Sequence, residues 1–153
     1  MAKRSAGILP VRRTPDGLAY FLVHPGGPFF RNKDAGAWTV AKGLLEAQEA
    51  PLAAAQREWL EETGLTLPEG PFLPLGMIRQ KSGKEVEAWL IEAELDPGAL
   101  KSNTFEIEWP PRSGKTGVFP EVDRAAWFSA PEAREKILEA QRPFLERAAG
   151  LLS

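Results

Sequence analysis

The sequence predicts an α+β protein, one domain in which a mixed sheet carries packed helices in an α-β-α sandwich. Three observations predict it: short apolar runs broken by turn residues ahead of residue 50, a strongly marked helix at Pro51–Thr63, and further strand-like runs before a closing helix. No internal repeat, low-complexity tract or linker divides the 153 residues, so residues 1–153 are read as one domain with chain enough for a buried core.

The elements follow in order. Ile8–Arg12 reads as a strand, and Thr14-Pro15-Asp16-Gly17 as a turn, since proline presets one dihedral and glycine accepts positive φ. Leu18–His24 resumes as the second arm of a hairpin, which Pro25-Gly26-Gly27-Pro28 ends. The chain stays irregular through Gly36, and Trp38-Thr39-Val40 reads as a short strand. Pro51 opens the helix where a missing N–H costs nothing, the alanines favour it, and Gly64 stops it. Leu73–Gln80 and Glu85–Glu94 flank Lys81-Ser82-Gly83-Lys84 as a second hairpin. Phe105–Trp109 alternates apolar and acidic residues and ends at Pro110-Pro111, leaving residues 110–120 as a loop. Ala125–Phe128 is the last strand. Ser129 with Glu132 forms a capping box for a C-terminal helix that Pro143 interrupts or restarts.

Composition narrows the function classes. The chain has no cysteine, which excludes disulfides, thiolate metal sites and a cysteine nucleophile. The net charge of −2 provides no basic field for coating a nucleic acid, so an anionic substrate needs a local basic pocket or a metal ion. Met1-Ala2-Lys3-Arg4 is basic, but Ser5–Pro10 is too short and interrupted for a signal-peptide core. No apolar run approaches the ~20 residues of a membrane span, and a cytoplasmic protein is expected.

The chemistry concentrates on the helix. Residues three and four apart share a face, so Glu58, Glu61 and Glu62 project together, while Leu52, Ala55, Trp59 and Leu60 are expected to pack on the sheet. Clustered carboxylates repel one another, and near a helix C-terminus the macrodipole disfavours them as well. A solvated acidic face is one explanation; a divalent cation, which would reverse the sign of the arrangement, is the other.

From Gly43 to Leu65 the chain reads GLLEAQEAPLAAAQREWLEETGL, and this segment resembles the Nudix box. Gly43, Glu49, Arg57, Glu58, Glu61, Glu62 and Gly64 fill the fixed positions at the family's spacing, with Leu65 apolar as required. At ordinary residue frequencies a chance match somewhere in the chain is on the order of one in a million. Trp38-Thr39-Val40-Ala41-Lys42-Gly43 resembles the family's entry to the box, with Ala41 where proline is frequent; Trp59 stands where an aliphatic residue is usual.

The resemblance implies a Nudix-like mixed sheet with packed helices and a Nudix-type nucleotide pyrophosphohydrolase dependent on Mg2+, with Mn2+ as a substitute. It places the metal on Glu58, Glu62 and the Lys42 backbone carbonyl. Glu61 is an added ligand or tunes the cluster, and Arg57 orients the carboxylates, so Glu61, Arg57 and Glu121 are the catalytic candidates. Glu49 would hold the loop–helix geometry, and Gly43 and Gly64 would serve turns. Glu121 resembles a glutamate six residues before a tryptophan ahead of the family's final strand, and is the candidate base or extra ligand. Glu85, Glu87, Glu106 and Glu108 are lesser candidates.

A nucleotide-type substrate also needs cations and aromatic surface. Arg31, Lys42, Arg79 and Trp38 are the principal substrate-binding candidates, with Lys33, Lys81, Arg112 and Lys115 as further phosphate partners and Phe29, Phe30, Phe105 and Phe119 as further stacking surfaces. Residues 25–37 and 110–120 are the expected specificity loops. The only histidine, His24, is read as structural. Three other readings compete with this one. A Nudix-fold isomerase would use a cysteine that this chain lacks, and an acidic interaction domain would not need Gly43, Glu49 and Arg57 in register. A non-catalytic nucleotide-binding sensor is the alternative that stays open, as do the exact substrate and the oligomeric state.

Overall fold

The computed structural model describes residues 3–153, so Met1 and Ala2 of the basic N-terminus lie outside the described residues. β1 (Arg4–Thr14) is the spine of a six-stranded sheet. Its first half pairs antiparallel with β3 (Ala41–Leu44), from Ser5 opposite Leu44 to Ile8 opposite Ala41. Its second half pairs antiparallel with β2 (Gly17–Pro25) across the expected turn. On the other edge β5 (Glu85–Glu92) runs parallel to β1, and β4 (Leu73–Arg79) is antiparallel to β5. β8 (Val122–Ser129) adds antiparallel to β2, giving the mixed order β4-β5-β1-β2-β8 with β3 beside β1.

Side chains alternate across this sheet, and both faces are buried. Tyr20 and Leu22 enter one core, closed by α2 (Ala130–Lys136) and α3 (Arg142–Leu152) through Ala133, Phe144 and Leu145. Phe21 and Val23 enter the other, closed by α1 (Pro51–Thr63) through Ala54, Ala55 and Trp59. The α+β class and the α-β-α layering are therefore as the sequence predicts. Trp59 anchors the box helix: its ring lies 5.5 Å from that of Phe21, and its buried N–H donates to the Leu65 carbonyl at 2.7 Å. Truncating it to alanine would cost about 3–5 kcal/mol.

Several boundaries differ from expectation, each for a local reason. The strand expected at Trp38–Val40 is reduced to single bridges, Val23 to Thr39 and Trp38 to Ile137, because the Val40 N–H donates to the Gln141 side chain; the strand proper is β3. The expected loop at 110–120 contains β7 (Thr116–Pro120), which pairs with β6 (Thr104–Glu108) as a separate two-stranded hairpin. A glycine in its second position weakened the strand signal. Leu60 is not on the packed face of α1 but 55% exposed; Thr63 is buried there instead. The Ser129–Glu132 capping box starts α2 as expected, and Pro143 restarts the chain as α3. Among the described residues no helix is long and apolar enough to cross a membrane.

Candidate active site

Arg57 organises the site. Its guanidinium grips Glu49 with two parallel bonds, Nε at 2.9 Å and Nη2 at 3.0 Å. Nη1 reaches Glu58 at 2.8 Å and Glu61 at 3.1 Å, and Nη2 also donates to the Leu44 carbonyl at 3.1 Å. Glu49 in turn accepts the Glu46 N–H at 3.0 Å. The loop after β3 is thereby tied to α1 by a planar fork that a lysine could not reproduce. The Arg57 bond is the main reason the Glu49 carboxyl is held down at about 2, and the same pairing raises Arg57.

Gly43 explains itself by contact. A Cβ there would lie 2.0 Å from the Glu58 carboxyl carbon, so the Glu58 head group rests on the glycine backbone and would have to move to admit any other residue. Glu62 lies deeper, with one oxygen accepting the Lys42 N–H at 3.2 Å. Burial pushes its carboxyl up to about 8; Lys42 opposes this, and Glu58 and Glu121 add to it. Burial likewise raises Glu58 against the pull of Arg57, with Glu61 and Glu121 adding repulsion. Glu121 is raised by burial and then by Glu61. The Lys42 ammonium is pushed down by burial and Lys84, with Glu62 and Glu58 opposing.

Glu121 occupies the single residue between β7 and β8, and its backbone is fixed on both sides. Its N–H donates to the Asn103 carbonyl at 2.8 Å and its carbonyl accepts the Gly26 N–H at 2.9 Å. It lines, with Glu62, Lys42 and Phe30, a cavity of about 300 Å³. A second cavity of about 640 Å³ adjoins it, sharing Gly36 and Leu138, and contains Lys81 and Arg142.

Among the described residues no three acidic or histidine side chains stand converged as a ready metal cage, because Arg57 engages Glu58 and Glu61 while Glu62 turns to the Lys42 N–H. The donor set nonetheless fits a hard divalent cation. Every acidic donor is an oxygen, the chain has no cysteine, and Glu58, Glu62 and Glu121 are each raised by burial and then by the charge of neighbouring glutamates. A cation would remove that cost.

A NUDIX domain model matches residues 1–148. The chain belongs to the Nudix family. A curated octanoyltransferase of Myxococcus xanthus is 31% identical over 119 residues, which are 77% of this chain; the match spans 30% of that protein. The Nudix fold recurs in solved structures. An Ap4A hydrolase of C. elegans has a TM-score of 0.61 and 20% identity, with both chains fully covered. The NUDIX domain of Shewanella oneidensis NrtR, solved with ADP ribose, has a TM-score of 0.68 and 15% identity over all of this chain and 90% of that one.

Within the Nudix framework the structure sorts the sequence candidates. Glu58, Glu61, Glu62, Arg57, Lys42 and Glu121 come together. Trp38 does not offer a stacking face: it is 5% exposed, packed on Phe128 and His24, with its N–H on Asp34. Arg79 pairs with Glu85 on the exposed β4–β5 hairpin and lines neither cavity. Arg31 is exposed on the rim loop and also lines neither cavity. Glu87 pairs with Arg4, and Glu106 and Glu108 face outward from the β6–β7 hairpin. Phe29 is exposed and packs edge-on against Trp109, and Phe105 and Phe119 lie 6.2 Å apart within the hairpin. Gly36 falls in the expected specificity loop at 25–37, whereas the sequence reading missed Leu138 and Arg142, which join the site only through the tertiary fold and carry no local signal.

Proposed function

We propose that this Nudix domain hydrolyses a phosphoanhydride bond in a nucleoside diphosphate-linked substrate, a nucleoside triphosphate or dinucleoside polyphosphate, with a divalent cation. The observation that carries the reading is a cavity lined by Glu62, Glu121 and Lys42, in which both carboxyls are raised by burial and by neighbouring glutamates, with Glu58 raised beside them. Such strain is unfavourable in a merely solvated face and useful where a cation and phosphates are to be bound.

Glu58 and Glu62, with Glu61 and the Lys42 carbonyl, would hold Mg2+ or Mn2+. The ion would neutralise phosphate charge and stabilise the leaving group. The chain's own residues supply the rest. Arg57 fixes Glu58 and Glu61 and leaves Glu62 free of any guanidinium. Lys42 supplies a cation in the cavity for a phosphoryl oxygen. Glu121, raised by burial and by Glu61, accepts the proton of the attacking water. The larger adjoining cavity, with Lys81 and Arg142, takes the nucleoside end.

The test is a panel of nucleoside triphosphates, dinucleoside polyphosphates, ADP-ribose and nucleotide sugars, with and without Mg2+ and with product identification. Cation-dependent release of a nucleoside mono- or diphosphate is expected. Nucleotide binding without turnover of any member would favour the sensor alternative instead.

A further inference from the structure

His24 is fully buried in β2, and both of its ring nitrogens are engaged. Nδ1 lies 2.8 Å from Asp123 Oδ1, and Nε2 lies 2.7 Å from the Lys33 carbonyl oxygen. A carbonyl only accepts, so Nε2 donates to it; the opposite nitrogen faces a carboxylate. The Trp38 ring packs against it in a T-shaped arrangement, with centroids 5.2 Å apart. An apolar side chain would fill this space but leave the Lys33 carbonyl and Asp123 without their partner.

The two partners belong to the two walls of the smaller cavity. Asp123 stands in β8, two residues beyond Glu121. Lys33 sits in the rim loop that brings Phe30 and Ala37 to the cavity. Between residues 27 and 33 the other backbone hydrogen bonds of that loop are internal, Phe30 to Gly27 and Lys33 to Phe30. The base of the loop touches the Glu121 segment directly: a Cβ on Gly26 would stand 1.9 Å from the Pro120 carbonyl oxygen, and the Gly26 N–H reaches the Glu121 carbonyl.

We propose that His24 is a positioning residue that fixes both walls: the rim loop through Nε2 and the Glu121 segment through Nδ1. The proposal rests on the hydrolase reading only for its kinetic consequence. Two substitutions separate the two ties. In His24→Gln the amide nitrogen can occupy the place of Nε2 and keep the loop; in His24→Asn it can occupy that of Nδ1 and keep Asp123.

Hydrogen exchange over residues 27–33 should quicken about tenfold in His24→Asn, the worth of one buried hydrogen bond, and stay near wild type in His24→Gln. With diadenosine tetraphosphate and Mg2+, His24→Asn should raise KM and His24→Gln should lower kcat. If the His24 variants fail to fold, Asp123→Ala cuts the second tie alone and should lower kcat with KM unchanged. Equal exchange in both variants, or kcat and KM moving together in step with melting temperature, would make His24 a packing residue and overturn the proposal. A wild-type protein that cuts no nucleotide would defeat the hydrolase reading, and the exchange measurement would still decide the role of His24.

Discussion

Two halves of the same 23-residue motif obey opposite electrostatics. In the first half, Glu49 is satisfied through a bidentate pair with Arg57 of the helix and is held down at about 2. In the second, Glu62 has no cationic side chain bonded to it and is pushed up to about 8, with Glu58 and Glu121 repelling it. One half is arranged as stability alone would arrange it, and the other is arranged against stability. The strained carboxylates are tolerated because the paired ones hold the loop and helix in place.

Breaking the strained half should have the largest effect on turnover and little on the fold. Glu62→Gln and Glu58→Gln should each lower kcat by roughly three orders of magnitude, the rate equivalent of several kcal/mol of charge stabilisation, while melting temperature holds or rises. Steady-state kinetics beside calorimetry checks both. Glu121→Gln should follow with a loss of ~10²–10⁴-fold and a near-normal melting temperature, whereas Glu106→Gln should be close to silent. If the strand glutamate proves essential and Glu121 dispensable, the proton acceptor has been placed wrongly.

Breaking the paired half should cost less rate but more structure. Arg57→Lys keeps the charge and loses the fork, and a drop of about 10–100-fold in kcat is expected together with a lower melting temperature. Unchanged melting would show that the pair does not support the loop.

The smallest effect is the pH dependence of stability without added cation, and its sign differs between the halves. Glu62 is raised in the folded state, so the fold holds a proton that the unfolded chain releases from about pH 4.5 upward. Its contribution therefore falls as pH rises from about 4.5 to about 8. Glu49 is depressed, so its contribution is full above about pH 4.5 and is lost as pH falls toward about 2. Denaturant unfolding across this range should show Glu62→Gln weakening the alkaline decline and Glu49→Gln weakening the acid one.

The same contrast explains what could be read in advance. α1, its glycine stop and the Glu–Arg pattern were legible because their determinants lie within a few turns of one another, as was the Ser129–Glu132 cap. Glu121 was legible through its spacing to Trp127, although its backbone ties to Asn103 and Gly26 were not. Trp38 was misread because residue type does not separate a buried indole from a stacking platform; its bond to Asp34 and its place against Phe128 decide that. The tie between His24 and Asp123 joins positions 99 apart, and no periodicity or motif announces it.

We propose that the strained carboxylates form a divalent-cation site, and direct titration with Mn2+, followed by electron paramagnetic resonance, tests this without any substrate. Wild type should bind Mn2+ more tightly as pH rises toward about 8, where Glu62 gives up its proton, and Glu62→Gln should lose that binding while Glu106→Gln retains it. Equal Mn2+ affinity in wild type and Glu62→Gln would contradict the account.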